Sequence, residues 1–189
     1  EYMNGRPVTI RTLDIGADKQ VDYLGLEKED NPQMGLRAIR ISLSQTDLFK
    51  IQLRALLRAS VYGKLKILLP MIISTDEINQ TKKLIEESQS ELDMENKAYG
   101  DIELGIMIET PAACLIADEL ANECDFFSIG TNDLTSYTLA VDRTNAKLSG
   151  YLDSHHQAIL RLIKMAALAA HENKIEVGIC GAAGADLSL

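Results

Sequence analysis

Five short, almost continuously apolar runs separated by helical stretches limit what this chain can fold into. They occupy residues 8–13, 65–71, 104–109, 125–130 and 175–180. Strands that read as apolar throughout, without alternation, are buried on both faces, as in parallel sheets covered by helices. The intervening segments carry helix punctuation. Residues 44–63 read as a helix that starts at a Ser44-x-x-Asp47 cap and stops at Gly63. Ser74 opens a capping box with Glu77, and Ile78, Leu84, Ile85 and Leu92 form the inward stripe of the helix that follows. Thr110 is an N-cap with Pro111 at the first helical position. A long helix over 159–172 precedes the last run.

Unbroken alternation of strand and helix specifies an α/β fold with parallel strands. An open doubly wound sheet and a (β/α)8 barrel both satisfy it. Each strand ends in polar or reactive chemistry: Arg11 and Asp14, Glu109, Asn132 and Asp133, Cys180. Active groups at the carboxyl ends of several different strands favour the TIM-type barrel over a sheet with one switch point, and no GxGxxG or P-loop is present. The chain has 189 residues and five such runs, short of eight strands and of the roughly 250 residues usual for that barrel. The expectation is therefore an incomplete (β/α)8 barrel forming one partial domain over 1–189.

Composition narrows the function classes. A net charge of −9 and a pI near 4.8 argue against a nucleic-acid surface, which is basic. No apolar run approaches the ~18 residues of a membrane span. Cys114, Cys124 and Cys180 form an odd set without CxxC spacing, which disfavours a disulfide framework or a zinc site and suits a reducing cytoplasm. The N-terminus has neither an initiator Met nor a signal-peptide layout, and reads as a piece of a longer or processed chain.

Glu109 and Asp133 end apolar strands 24 residues apart that flank one helix. Adjacent carboxylates repel unless a cation joins them, and oxygen-only ligation selects Mg2+ or Mn2+. The alternative is that Asp133 caps the helix after it. Arg11, Arg37 and Arg143 lie on or just after strand ends, where planar guanidinium forks suit phosphate and carboxylate; the alternative is an internal ion pair with Asp14 or Asp142. Cys180, beside Gly181, is placed to give or take a proton, or else is a small buried apolar residue. Cys114 and Cys124 read as core. His155, His156 and His171 lack the surroundings of a phosphoacceptor or metal ligand.

The segments IRTLDIGADK at 10–19, NPQMGLRAIR at 31–40, QLRALLRAS at 52–60, IMIETPAA at 106–113, DFFSIGTNDLT at 125–135 and AVDR at 140–143 together resemble enzyme I of the bacterial sugar phosphotransferase system, the phosphoenolpyruvate–protein phosphotransferases. Pyruvate phosphate dikinases and phosphoenolpyruvate synthases share the Thr-Asn-Asp and Glu-Thr-Pro elements. The resemblance implies a dimerising (β/α)8 phosphoenolpyruvate-binding domain of a cytoplasmic enzyme, with the first and last strands outside this chain. It implies that Arg11, Arg37 and Arg143 hold the phosphate and carboxylate of phosphoenolpyruvate, and that Asn132 and Asp133 contact the phosphate. Glu109 and Asp133 would bind Mg2+, and Cys180 would protonate the pyruvate enolate. An N-terminal phosphohistidine domain and the histidine phosphocarrier protein are the implied partners, and this piece alone is expected to be inactive. Ala17 stands where a second Gly is usual, and Ala182 where an acidic residue is usual. Ala182 and the Ala-rich 182–185 loop keep a non-catalytic phosphoenolpyruvate-sensing module as an alternative, beside a dikinase- or synthase-type domain.

Overall fold

The computed structural model describes residues 3–16 and 25–185; Ala17, and Asp18 and Lys19 of the first family segment, lie outside them. The chain forms two compact units, residues 1–71 with 76–104, and residues 72–75 with 105–189.

In the first unit β1 (Val8–Arg11) is followed by α1 (Ile39–Ser44), α2 (Thr46–Ala59), a short 3-10 turn, β2 (Leu65–Leu69) and α3 (Thr75–Met94), whose residues from Asp76 onward belong here. β1 and β2 are parallel, with Val8 opposite Leu65 and Arg11 opposite Leu68. The core is built from the α2 stripe Phe49, Leu53, Leu56 and Leu57, from Ile67 and Leu69 of β2, and from one face of α3. That face is Ile78, Thr81, Ile85, Ser88 and Leu92, the 3–4 spacing of an inward helix stripe; Leu84 is half-buried at its edge. The two hydroxyls in the stripe are satisfied locally, Thr81 Oγ1 donating to the Glu77 carbonyl at 2.9 Å and Ser88 Oγ to that of Leu84 at 2.7 Å. Lys66, buried in β2, reaches Glu103 at 2.8 Å, so its charge is not left alone in an apolar layer. The Ser44 cap is not formed: Ser44 ends α1, and its Oγ donates to the Ile41 carbonyl at 2.9 Å. A hydroxyl one turn from a helical carbonyl finds that acceptor before it can cap the next helix.

The second unit contains the end of β3 (Ile102–Ile108), then α4 (Pro111–Leu115), α5 (Ala117–Ala121), β4 (Phe126–Gly130), α6 (Thr131–Leu139), a 3-10 turn, α7 (Gln157–Glu172), β5 (Glu176–Cys180) and a final 3-10 turn. β3, β4 and β5 are parallel and in register, with Ile108, Ile129 and Ile179 in one row. Gly105 lies opposite Phe126, and a Cβ there would stand 2.4 Å from the Phe126 ring, so the strand needs glycine to seat the aromatic. Thr110 caps α4 as its sequence indicates, accepting from Ala113 N at 3.1 Å with Pro111 following. α7 packs on α4 and α5, and its buried residues are Ile159, Ala166, Ala169 and Ala170. It begins two residues before the apolar pattern because His156 is its N-cap, Nδ1 accepting from Ala158 N at 3.2 Å.

β2, most of β4 and the last five residues of β3 are buried, as strands covered on both faces should be. β1 and β5 are half-buried or exposed along their length. Each has one hydrogen-bonded strand neighbour among the described residues, and a strand with one neighbour keeps an accessible side whatever its apolarity.

Candidate functional site

The sequence-identified groups fall into two clusters, one in each unit. In the first unit β1 ends at Arg11, and the chain turns at once through Asp14. The backbone there is fixed from two sides: Leu13 N–H donates to Gln52 Oε1 of α2 at 3.1 Å, and Ala38 N–H donates to the Ile15 carbonyl at 3.1 Å. The second bond brings in the segment that carries Arg37. This segment is a closed turn in which Glu29 accepts from Leu36 N–H at 2.9 Å, and Arg40 Nη1 donates to the carbonyls of Met34 and Gly35 at 3.0 and 2.9 Å. It ends at Ala38, fully buried with φ +53°, a conformation strained for a residue with a Cβ.

Asp14 joins the two arginines. Its Oδ2 lies 2.9 Å from Arg11 Nη1 and its Oδ1 lies 2.9 Å from Arg37 Nη2. The internal ion pair weighed as the alternative for Arg11 is therefore present, and the same carboxylate serves Arg37. The shared carboxylate holds the two guanidinium forks in place, and such forks suit phosphate and carboxylate groups. The Arg37 side chain is 9% exposed and the Arg11 side chain 46%; Arg11 is the more open of the two to solvent.

In the second unit the groups lie at the carboxyl ends of three neighbouring strands. Glu109 follows β3 directly and is buried. A Cβ on Gly130, the last residue of β4, would lie 2.9 Å from Glu109 Oε2 and 2.9 Å from its Cβ. The glycine thus makes room for the carboxylate. Gly130 is in register with Cys180 on its other side. α6 starts at Thr131 without a loop, its N-cap Gly130 offers no side-chain cap, and Asp133 is buried in its first turn. Helix N-termini present unpaired N–H groups and favour negative charge. Arg143 Nη2 is 3.6 Å from Asp133 Oδ1. The alternative partner Asp142 is engaged by its own loop, accepting from Thr144 N–H and Oγ1 at 2.8 and 2.7 Å, bonds that hold its carboxyl below the usual range.

Asn132 is exposed, and its Oδ1 accepts from Ala182 N–H at 3.1 Å; Thr131 Oγ1 donates to the Cys180 carbonyl at 3.0 Å. Cys180 is half-buried. Cys114 is core, its thiol pushed up to about 12 by burial. Cys124 bonds the Leu120 carbonyl through Sγ at 3.4 Å. Among the described residues no group of three or more His, Cys, Asp and Glu side chains gathers as a metal centre. No helix among them is long and apolar enough to cross a membrane.

Glu109, Asn132, Asp133, Arg143 and Cys180 thus share one end of the β3–β4–β5 row or the segments leaving it, while Arg11 and Arg37 share Asp14. Thr131, Gly181 and the bridging role of Asp14 were not singled out from the sequence. A Thr-Asn-Asp run entering a helix straight from a strand was the available signal for Thr131.

A family model described as PEP-utilising enzyme, PEP-binding domain, matches residues 1–189. The phosphoenolpyruvate-protein phosphotransferases of Priestia megaterium and Bacillus subtilis (strain 168) are 52% and 49% identical to the chain over 187 residues, covering 98% of it and 33% of each relative. The chain therefore spans about a third of the length of the curated relatives it matches. Among solved structures, a citrate lyase from Burkholderia xenovorans LB400 aligns with a TM-score of 0.52 at 20% identity, over 69% of this chain and 40% of that one. That is a likeness of fold alone.

Proposed function

Because the chain belongs to the PEP-utilising enzyme, PEP-binding domain family, we propose that it is the phosphoenolpyruvate-binding portion of a cytoplasmic, homodimeric phosphotransferase. The whole protein moves phosphoryl from phosphoenolpyruvate to a histidine on its own N-terminal domain, then to the histidine phosphocarrier protein in sugar uptake, and releases pyruvate. The five parallel strands are the described part of a (β/α)8 barrel that the rest of that protein closes.

The observation that carries this reading is the row at the carboxyl ends of β3, β4 and β5. It holds a buried carboxylate (Glu109), a helix start with Asn132 and Asp133, and a half-buried thiol (Cys180), with Arg143 on Asp133. Arg11, Arg37 and Arg143 bind the phosphate and carboxylate of the substrate, and Asn132 donates to the phosphate. Two buried carboxylates offer hard oxygen donors of the kind that suit a divalent cation, so Glu109 and Asp133 are the residues that would hold Mg2+. Bound Mg2+ supplies charge neutralisation for the phosphate oxygens.

As the P–O bond to the enol oxygen breaks and a P–N bond to the accepting imidazole forms, negative charge grows on the departing enolate. Fixed guanidiniums stabilise it without reorganising. The enolate oxygen pair then re-forms the ketone. The C=C pair takes the Sγ–H proton of Cys180 at C3, leaving a thiolate and pyruvate.

Calorimetric titration of phosphoenolpyruvate into the full-length protein, with and without Mg2+, tests this. Binding should require Mg2+ and weaken at least about tenfold in Arg143→Ala, the loss of one charge-assisted pair. Affinity indifferent to both would overturn the assignment of the pocket. Binding without exchange of pyruvate methyl protons would favour the non-catalytic sensing module.

A further inference from the structure

We propose that Thr131 is a positioning residue for Cys180, and that Thr131 and Asn132 together clamp the turn after β5 onto the first turn of α6. The proposal rests on the reading of Cys180 as the proton donor. α6 begins where β4 ends, and register places Cys180 beside Gly130. Thr131 and Asn132 therefore face the chain leaving β5.

Their two bonds straddle it: the buried Thr131 hydroxyl donates to the Cys180 carbonyl at 3.0 Å, and Ala182 N–H donates to Asn132 Oδ1 at 3.1 Å. Between them Gly181 takes φ +88°, and a Cβ there would stand 2.7 Å from Thr131 Oγ1 and 3.1 Å from Asn132 Oδ1. A side chain at 181 would be both strained and in collision with the clamp. Pairing with β4 fixes the chain up to Cys180 and the Thr131 bond fixes the peptide plane that follows it; together they set the direction of its Cα–Cβ bond, and with it where the thiol can reach.

The clamp works in both directions. With Oδ1 committed to Ala182, Asn132 has its amide N–H2 to offer an anion. The contact also uses the main chain of residue 182, so the Ala182 side chain plays no part in it. A departure at that position leaves the geometry of the donor turn intact.

Variants of the full-length protein separate positioning from binding. The readouts are deuterium exchange into the methyl group of pyruvate, followed by proton NMR with Mg2+ present, and KM for phosphoenolpyruvate. Thr131→Val keeps the shape and removes the hydroxyl. It should slow exchange at least about tenfold while KM stays within about twofold, since a small misplacement of a reacting group costs rate before affinity. Thr131→Ser, which keeps the hydroxyl, should restore exchange to within about threefold of the parent. Exchange at the parent rate in Thr131→Val, or equal losses in exchange and affinity, would overturn the proposal. If Thr131→Val does not fold, Gly181→Ala decides, because it disturbs the same turn from the other side: selective loss of exchange supports the clamp and parental exchange sinks it. Cys180→Ala keeps the two readings apart. Parental exchange in that variant would remove the proton-donor role itself. Lost exchange there alongside an active Thr131→Val would remove the clamp alone.

Discussion

Asp14 shows how one carboxylate can do different work for two partners. Arg37 is 9% exposed and Arg11 46% at the side chain, yet both ion pairs are 2.9 Å long. Burial decides what each pair contributes. An exposed pair is close to neutral, whereas breaking a pair between two largely buried groups loses a charge-assisted bond that water does not readily replace. Asp14→Ala should therefore destabilise the protein by about 2–4 kcal/mol, through Arg37, while Arg11→Ala should change stability by less than about 1 kcal/mol. Denaturant midpoints at constant slope measure both, and equal effects of the two variants would contradict the burial argument. The Arg11–Asp14 pair was legible in the sequence because the residues are three apart at a strand end. The sequence offered Arg37 as a candidate anion binder, and its share in Asp14 was not legible there. That share depends on a turn closed by Glu29 and Arg40 and on the Ala38–Ile15 backbone bond, none of which has a local sequence signature. The reverse happened at Asp142, where Thr144 two residues away captured the carboxylate. Local side-chain-to-backbone bonds close at almost no entropic cost and outcompete a more distant partner.

Helices were readable where burial imposes a period. The α3 stripe at 78, 85 and 92 follows directly from 3–4 spacing, and the Thr110 and Pro111 start of α4 from cap chemistry. The ion pairs across α2 and α3 were not readable, since Lys50 and Arg54 meet Glu87, Glu91 and Glu95 across 37–41 residues of chain. That network makes a pH prediction. Glu91 is held below the usual carboxylate range by hydrogen bonds from Lys50 and Arg54, and Glu95 by Lys97 and Arg54. A carboxylate depressed in the folded state contributes stability above its unfolded pKa and loses it as pH falls through the folded one. Lys50 is raised, chiefly by Glu91, so its share is present below the ordinary lysine value and lost only as pH rises above it. The network is thus complete across neutral pH and fails on the acid side. Melting temperature should fall as pH drops through and below the ordinary carboxylate value of 4.5, and Glu91→Gln should flatten part of that fall. Because the groups are exposed, added salt should shrink the difference between the two proteins. Parallel melting curves at low salt would show that the staple contributes nothing.

For the molecule as a whole, two opposing quantities set its behaviour in solution, its charge and its accessible apolar surface. The alternation of strand and helix made the parallel α/β class legible, and composition made the acidity legible. Apolarity misreported β1 and β5 because it records a capacity for burial and not the presence of a neighbour. On the second unit, Ile179 of β5 is 49% exposed, Leu115 of α4 62%, and Met165 and Leu168 of α7 42% and 49%. A half-exposed strand with one strand neighbour among the described residues can take up a second copy, and the exposed Leu115, Met165 and Leu168 add to the attraction. Against this stands a net charge of −9 on a 20.8 kDa chain, which makes copies repel at low ionic strength. The isolated 189-residue chain should therefore self-associate, weakly in dilute buffer at neutral pH. Association should strengthen as salt screens the repulsion or as pH approaches the pI near 4.8. Sedimentation velocity across concentration and salt reads this directly, and the double substitution Met165→Lys with Leu168→Lys should lower the associated fraction at every salt concentration. A single 20.8 kDa species unchanged by concentration, salt and pH would mean that the exposed strand and helix faces are too small to overcome even a screened charge. A double variant that associates as strongly as the parent would move the contact off α7 and leave the β5 edge as the remaining apolar site.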